Sequence, residues 1–133
     1  MAKETKQEYI PGVCNIGNAE ANNRRRTAYG ASAVALIVWA TLLYIQAPSA
    51  TLLIVGLPGF VAGTAFIQAR QRFCAGFGAE GLYNFTDTVG AYSKSEKADD
   101  RAKDKRKAVQ ITKQAAVIGT VTGALAVVSA VVL

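Results

Sequence analysis

Two stretches of this chain carry no charge at all. From Thr27 to Ala69 there are 43 residues, and from Gln114 to Leu133 another 20, without a single Asp, Glu, Lys or Arg. A helix on a soluble domain interleaves charges along its exposed face. About 20 consecutive apolar residues instead match the roughly 30 Å core of a bilayer. As one helix the first stretch would run roughly 65 Å, about twice that thickness, so it must fold back. Gln46-Ala47-Pro48-Ser49, near its middle, supplies the break: Pro48 lacks an N–H, and its ring disfavours helix at Ala47. The pattern predicts an all-α membrane protein, a single membrane domain with three transmembrane helices at about 28–46, 50–69 and 114–133. The first two, 28–69, form a hairpin.

The polar segments are patterned too. Residues 1–10 read as loosely ordered, and Tyr9–Gly17 as a turn-rich structured piece. Asn18–Arg26 reads as a short helical approach, capped by Asn18 and with Glu20 in its first turn, where a negative charge suits the helix dipole. After the second span, which continues to Cys74, the three glycines of Gly76–Gly81 are expected to end or distort the helix. Phe73, Phe77, Leu82, Tyr83 and Phe85 call for burial at headgroup level or against a partner. From Ser93 to Lys113 the pattern is helical, with Ser93 or Ser95 as cap. It has no apolar stripe before Ala108, which predicts a solvent-exposed helix. Nothing interrupts it before the third span, so the third helix is expected to extend into the cytoplasm, roughly 58 Å from Ser95 to the C-terminus.

Charge sets the expected orientation. The chain holds 15 Lys and Arg against nine acids, a net +6. All 15 lie outside the spans: Lys3, Lys6 and Arg24–Arg26 before the first, the rest in the 70–113 loop. Lys and Arg beside membrane helices stay in the cytoplasm. This places the 1–27 segment and the 70–113 loop inside, and the Gln46–Ser49 turn and C-terminus outside, in a multi-pass protein of the inner (cytoplasmic) membrane. Residues 2–27 lack the short apolar core and cleavage site of an export signal, so the first helix is expected to direct insertion. Arg24, Arg25, Arg26, Arg70 and Arg72 stand where they would meet lipid headgroups, so membrane lipids are expected partners. The run KSEKADDRAKDKRK mixes acids with bases and has no interleaved aromatics for stacking, which argues against nucleic acid.

Few motifs carry chemistry. Gly76-Phe77-Gly78-Ala79-Glu80-Gly81 fits the dinucleotide pattern G-x-G-x-x-G, but that chemistry needs a strand before it and a βαβ unit around it; no nucleotide is expected. Asn84-Phe85-Thr86 fits the glycosylation sequon on the side where glycosylation does not occur. Gly59 and Gly63, and Ala115, Gly119 and Gly123, are small residues at helix-packing spacing. Cys14 and Cys74 are the only cysteines, both beside a membrane boundary on the reducing side. Three readings stay open for them. They are small packing residues, a metal or cluster site completed by Glu20, Glu80 or a second copy, or a redox or acylation switch, activated by a nearby arginine. With no His in the chain, and no Asp, Glu, Lys or Arg in any span, neither a hydrolase constellation nor a proton relay is expected.

Cys14-Asn15-Ile16-Gly17-Asn18-Ala19-Glu20 with Arg24-Arg25-Arg26, and Arg72-Phe73-Cys74-Ala75-Gly76-Phe77-Gly78 with Gly81 and Tyr83-Asn84-Phe85, resemble segments of a family of small uncharacterised prokaryotic inner-membrane proteins. The resemblance covers about the first 85 residues and implies a bacterial or archaeal membrane, but no activity. The expectation is a non-enzymatic accessory or scaffold subunit of a larger membrane complex, with other membrane subunits as partners and no cofactor. The alternatives are a cysteine-dependent redox, metal or lipidated regulator, or a small oligomeric channel.

Overall fold

A computed structural model describes residues 9–133; positions 1–8 of the start expected to be loosely ordered, Lys3 and Lys6 among them, lie outside the described residues. Helix α1 (Asn18–Tyr44) leads through a turn into a 3-10 segment (Ser49–Val55) and α2 (Gly56–Gln71). A short α3 (Ala75–Glu80), a two-residue hairpin of β1 (Leu82–Tyr83) and β2 (Ser93–Lys94), and the long α4 (Ala98–Val132) follow. Three helical stretches are long and apolar enough to cross a membrane: Asn18–Tyr44, Ser49–Gln71 and Ala98–Val132.

The boundaries differ from the sequence pattern for identifiable reasons. The approach and first span form one 27-residue helix, with no joint at Arg26. Gly17, not Asn18, is the cap, because the Asn18 side chain is drawn away to Arg72, whose Nη1 donates to Oδ1 at 2.6 Å. The first span ends at Tyr44, and Gln46 takes a left-handed φ of 55° to reverse the chain before Pro48. The second starts as 3-10 because Pro58 cannot donate to Ile54, and its ring would crowd that carbonyl in an α-helix. It stops at Gln71, where Arg72 adopts φ 53°. The glycines therefore do not end this helix; they lie in and just after α3. Neither Ser93 nor Ser95 caps α4: Ser93 is in β2, Ser95 is buried, and Lys97 stands at the cap.

Within the bundle α2 packs against both α1 and α4. Leu52, Val55 and Ala126 form its far core, wrapped by Val38, Trp39 and Leu42. The indole of Trp39 also donates to Ser129 Oγ at 2.9 Å, tying α1 to α4. Gly119 and Gly123 face Gly56, Gly59 faces Thr122, and Gly63 faces Ile118. Ala115 is fully buried. These small residues thus meet within the chain. Leu36, Ile37, Leu57, Phe66, Val117 and Leu125 point outward, as expected where lipid replaces water around an apolar helix. Every described charged residue lies at one end of the bundle, around the starts of α1 and α4 and the end of α2.

Candidate functional site

That charged end carries a polar cap, built from residues 9–17, the first turn of α1, residues 72–95 and the first turns of α4. The reversal at Arg72 starts it. The left-handed backbone there costs about 1–2 kcal/mol for a residue with a Cβ. It also turns the Arg72 carbonyl toward the N-terminal segment, where the N–H groups of Asn15 and Ile16 donate to it at 3.0 and 3.2 Å. Next to it Asn15 closes on Cys74 twice: its Nδ2 donates to the Cys74 carbonyl at 3.1 Å, and its Oδ1 accepts from the Cys74 N–H at 2.6 Å. Asn15 is wholly buried. The segments that contain Cys14 and Cys74 are therefore joined, and Ile16, Ala21, Cys74 and Phe77 form a small core beneath them.

Asn84 is the second buried amide. Its Nδ2 donates to Glu20 Oε2 at 3.1 Å and the Thr88 carbonyl at 2.9 Å; its Oδ1 accepts from the N–H and hydroxyl of Thr86. All four hydrogen-bonding positions of the amide are filled. The Asn-x-Thr match is thus the local signature of an Asx turn. Glu20 is also buried and accepts from the Gly90 N–H at 2.7 Å, which pins the 84–90 loop to α1.

Asp104 is the third buried anchor, the one exception on an early α4 that is otherwise largely exposed, as expected. It is fully buried, because the N-terminal segment crosses over it: the Gly12 N–H donates to Oδ1 at 2.7 Å and the Tyr9 hydroxyl donates to Oδ2. The Tyr9 ring stacks on Tyr83 at 4.4 Å. Burial, with the bond to Asp104, pushes the Tyr9 phenol up to about 12. The folded value lies above the ordinary 10, so this latch is at full strength below pH 10 and is lost as pH rises toward 12. Titration by phenolate absorbance should therefore contain a late phase near 12 that Tyr9→Phe removes; an unchanged curve in the variant would contradict the latch.

The three glycines have separate reasons. A Cβ on Gly78 would lie 2.6 Å from the Phe73 ring and 3.0 Å from the Asp104 carbonyl. Glycine there lets Phe73, wholly buried with Ala108 and Ile111, pass between α3 and α4. Gly81 ends α3 at φ 73°. Gly76 has only the Cys74 sulfur within reach, at 3.8 Å.

The arginines separate into two groups. Arg24 Nη2 donates to Cys74 Sγ at 3.1 Å and lies 3.6 Å from Glu20 Oε1. Arg72 holds Asn18, Arg25 reaches Asn22, and Arg26 and Arg70 are exposed. Cys14 and Cys74 are not joined in a disulfide. Burial pushes the Cys14 thiol above its ordinary range, against the opposing Ile10 backbone bond and the charge of Arg72. Activation of Cys14 by a neighbouring arginine is thus outweighed by desolvation. Among the described residues no three His, Cys, Asp or Glu side chains form a group that could hold a metal. Glu20 is engaged by Asn84 and Gly90, and Glu80 is exposed. Glu20, Asn84 and Asp104 escaped the sequence pattern as anchors. The signal available for Asn84 was the Asn-x-Thr spacing. No protein-family model, curated protein or solved structure matches this chain.

Proposed function

We propose that this chain is a non-catalytic accessory or scaffold subunit of a larger complex in the inner membrane, with its cap in the cytoplasm as a platform for another membrane subunit. The observation that carries this reading is the occupation of four buried amide and carboxylate side chains of the cap. Asn15, Glu20, Asn84 and Asp104 all bond to other parts of the cap. A general acid or base must reach a substrate proton; these carboxylates instead hold loops in place. Rigid presentation of a surface is what such an arrangement favours. The clustering of Lys and Arg at the cap end supports the orientation.

Purification of the tagged chain from its native membranes in mild detergent tests this. A membrane protein should co-purify at fixed stoichiometry, and Asn15→Ala, which loosens the cap, should release it while the chain stays in the membrane. Recovery of the chain alone, identical for wild type and variant, would contradict the scaffold reading.

A further inference from the structure

We infer that the groove between α3 and α4 binds one anionic phospholipid, its phosphate reached from the two ends of the groove by the Lys105 and Lys113 side chains and its glycerol resting on the apolar floor beneath. The inference rests on the membrane reading above. It concerns a surface distinct from Arg24–Arg26, Arg70 and Arg72, and its test separates the two readings.

The groove measures about 420 Å³ and is floored by small residues, Gly76 and Ala79 on α3 and Ala108 and Val109 on α4. That volume lies within the roughly 300–1,000 Å³ range of small-ligand sites. Lys105 and Lys113 line its two ends, about 12 Å apart along the helix. Lys113 is the last charged residue before the 20 uncharged residues of the third span. The groove therefore opens where a spanning α4 passes through the headgroup layer, with one end toward the acyl chains.

Charge selects the occupant. Asp104 is the last acid in the chain, and it faces away into the cap, bonded to Tyr9 and Gly12. From Lys105 onward α4 carries only positive charge: Lys105, Arg106, Lys107 and Lys113. Neither groove lysine forms an ion pair with another described residue. Positive side chains near the surface of an anionic leaflet are attracted to it. The apolar floor favours a lipid over free phosphate. Its α3 wall is six residues long, about 9 Å, which is short for seating a partner's amphipathic helix.

Gly76 completes the case. A glycine inside a helix is less favourable than alanine, and Gly76, unlike Gly78, is not required by packing: an added Cβ would meet only the Cys74 sulfur at 3.8 Å. Its missing side chain leaves the groove floor open.

The test uses the full chain, delipidated in mild detergent and offered equimolar phosphatidylglycerol and phosphatidylcholine, with retained lipid counted by native mass spectrometry. Wild type should keep one phosphatidylglycerol with at least tenfold preference. Lys105→Gln with Lys113→Gln, exposed changes that leave packing intact, should bring the preference to near one. Gly76→Leu should lower occupancy by both lipids, and Arg25→Gln with Arg26→Gln should leave the preference unchanged. Equal retention by wild type, or a preference that survives the lysine changes, overturns the site. So does protection of Lys105 from acetylation by a co-purifying protein but not by phosphatidylglycerol, which would assign the groove to a protein. Extraction of the chain from vesicles by alkaline carbonate would instead sink the membrane reading; a firmly inserted chain with no lipid preference sinks the groove alone.

Discussion

Asn15→Ala should open the cap. The substitution leaves the Cys74 N–H, now bonded to Asn15 Oδ1, without a partner in a buried setting, and takes one of two donors from the Cys74 carbonyl, which keeps the Gly78 N–H at 2.8 Å. An unsatisfied buried N–H costs about 1–3 kcal/mol, and that loss is borne by the cap and not by the apolar bundle. Cys74 is only 5% exposed, which makes it a reporter. In a Cys14→Ser background, Asn15→Ala should speed maleimide labelling of Cys74 at least tenfold, with the chain still inserted. Asn15→Asp should not rescue, since it removes the donor to the Cys74 carbonyl and buries a charge. Equal labelling rates in parent and variant would show that Asn15 does not close the cap.

Gly56→Leu should separate α2 from α4. A Cβ at Gly56 would stand 2.7 Å from the Gly119 carbonyl, and one at Gly119 would stand 2.8 Å from the Phe60 Cβ. The obstacle at Gly56 is backbone, which cannot rotate away. Overpacking typically costs about 1–3 kcal/mol, and a branched side chain against a helix backbone should reach the top of that range or exceed it. Thermal unfolding in detergent should show a clearly lowered midpoint, with Gly56→Ala intermediate. Gly30→Ala is the control: nothing lies within 4 Å of the added carbon, so its midpoint should hold or rise. An unaltered midpoint in Gly56→Leu would mean that the two helices do not pack as described.

The helices were legible because membrane spans announce themselves by composition: 43 and then 20 uncharged residues leave few alternatives. Pro48 placed the turn for a local reason. The glycine pairs were readable by spacing, but Gly56 was not, since its need arises only opposite Gly119, far along the chain. The cap was least legible for the same reason. Glu20 and Asp104 sit among other charges and look like solvated positions. They become buried through contacts to Gly90 and Gly12 that span 70 and 92 positions of sequence. Asn84 looked like a modification motif because an Asx turn and a sequon share their spacing. In the glycine cluster one composition served three purposes, which no local pattern separates.

Helix α4 runs unbroken from Ala98 to Val132, and the cap is clamped to it by Asp104 and to α2 by Phe73. The bundle and cap therefore tilt as one body. Ala98 stands about 22 Å beyond Lys113 along the axis, so a ten-degree tilt carries it sideways by about 4 Å. Tilt is how a spanning helix answers a change in bilayer thickness. The cap thus moves like the tip of a lever, and anything docked on it experiences the thickness of the surrounding membrane as a displacement.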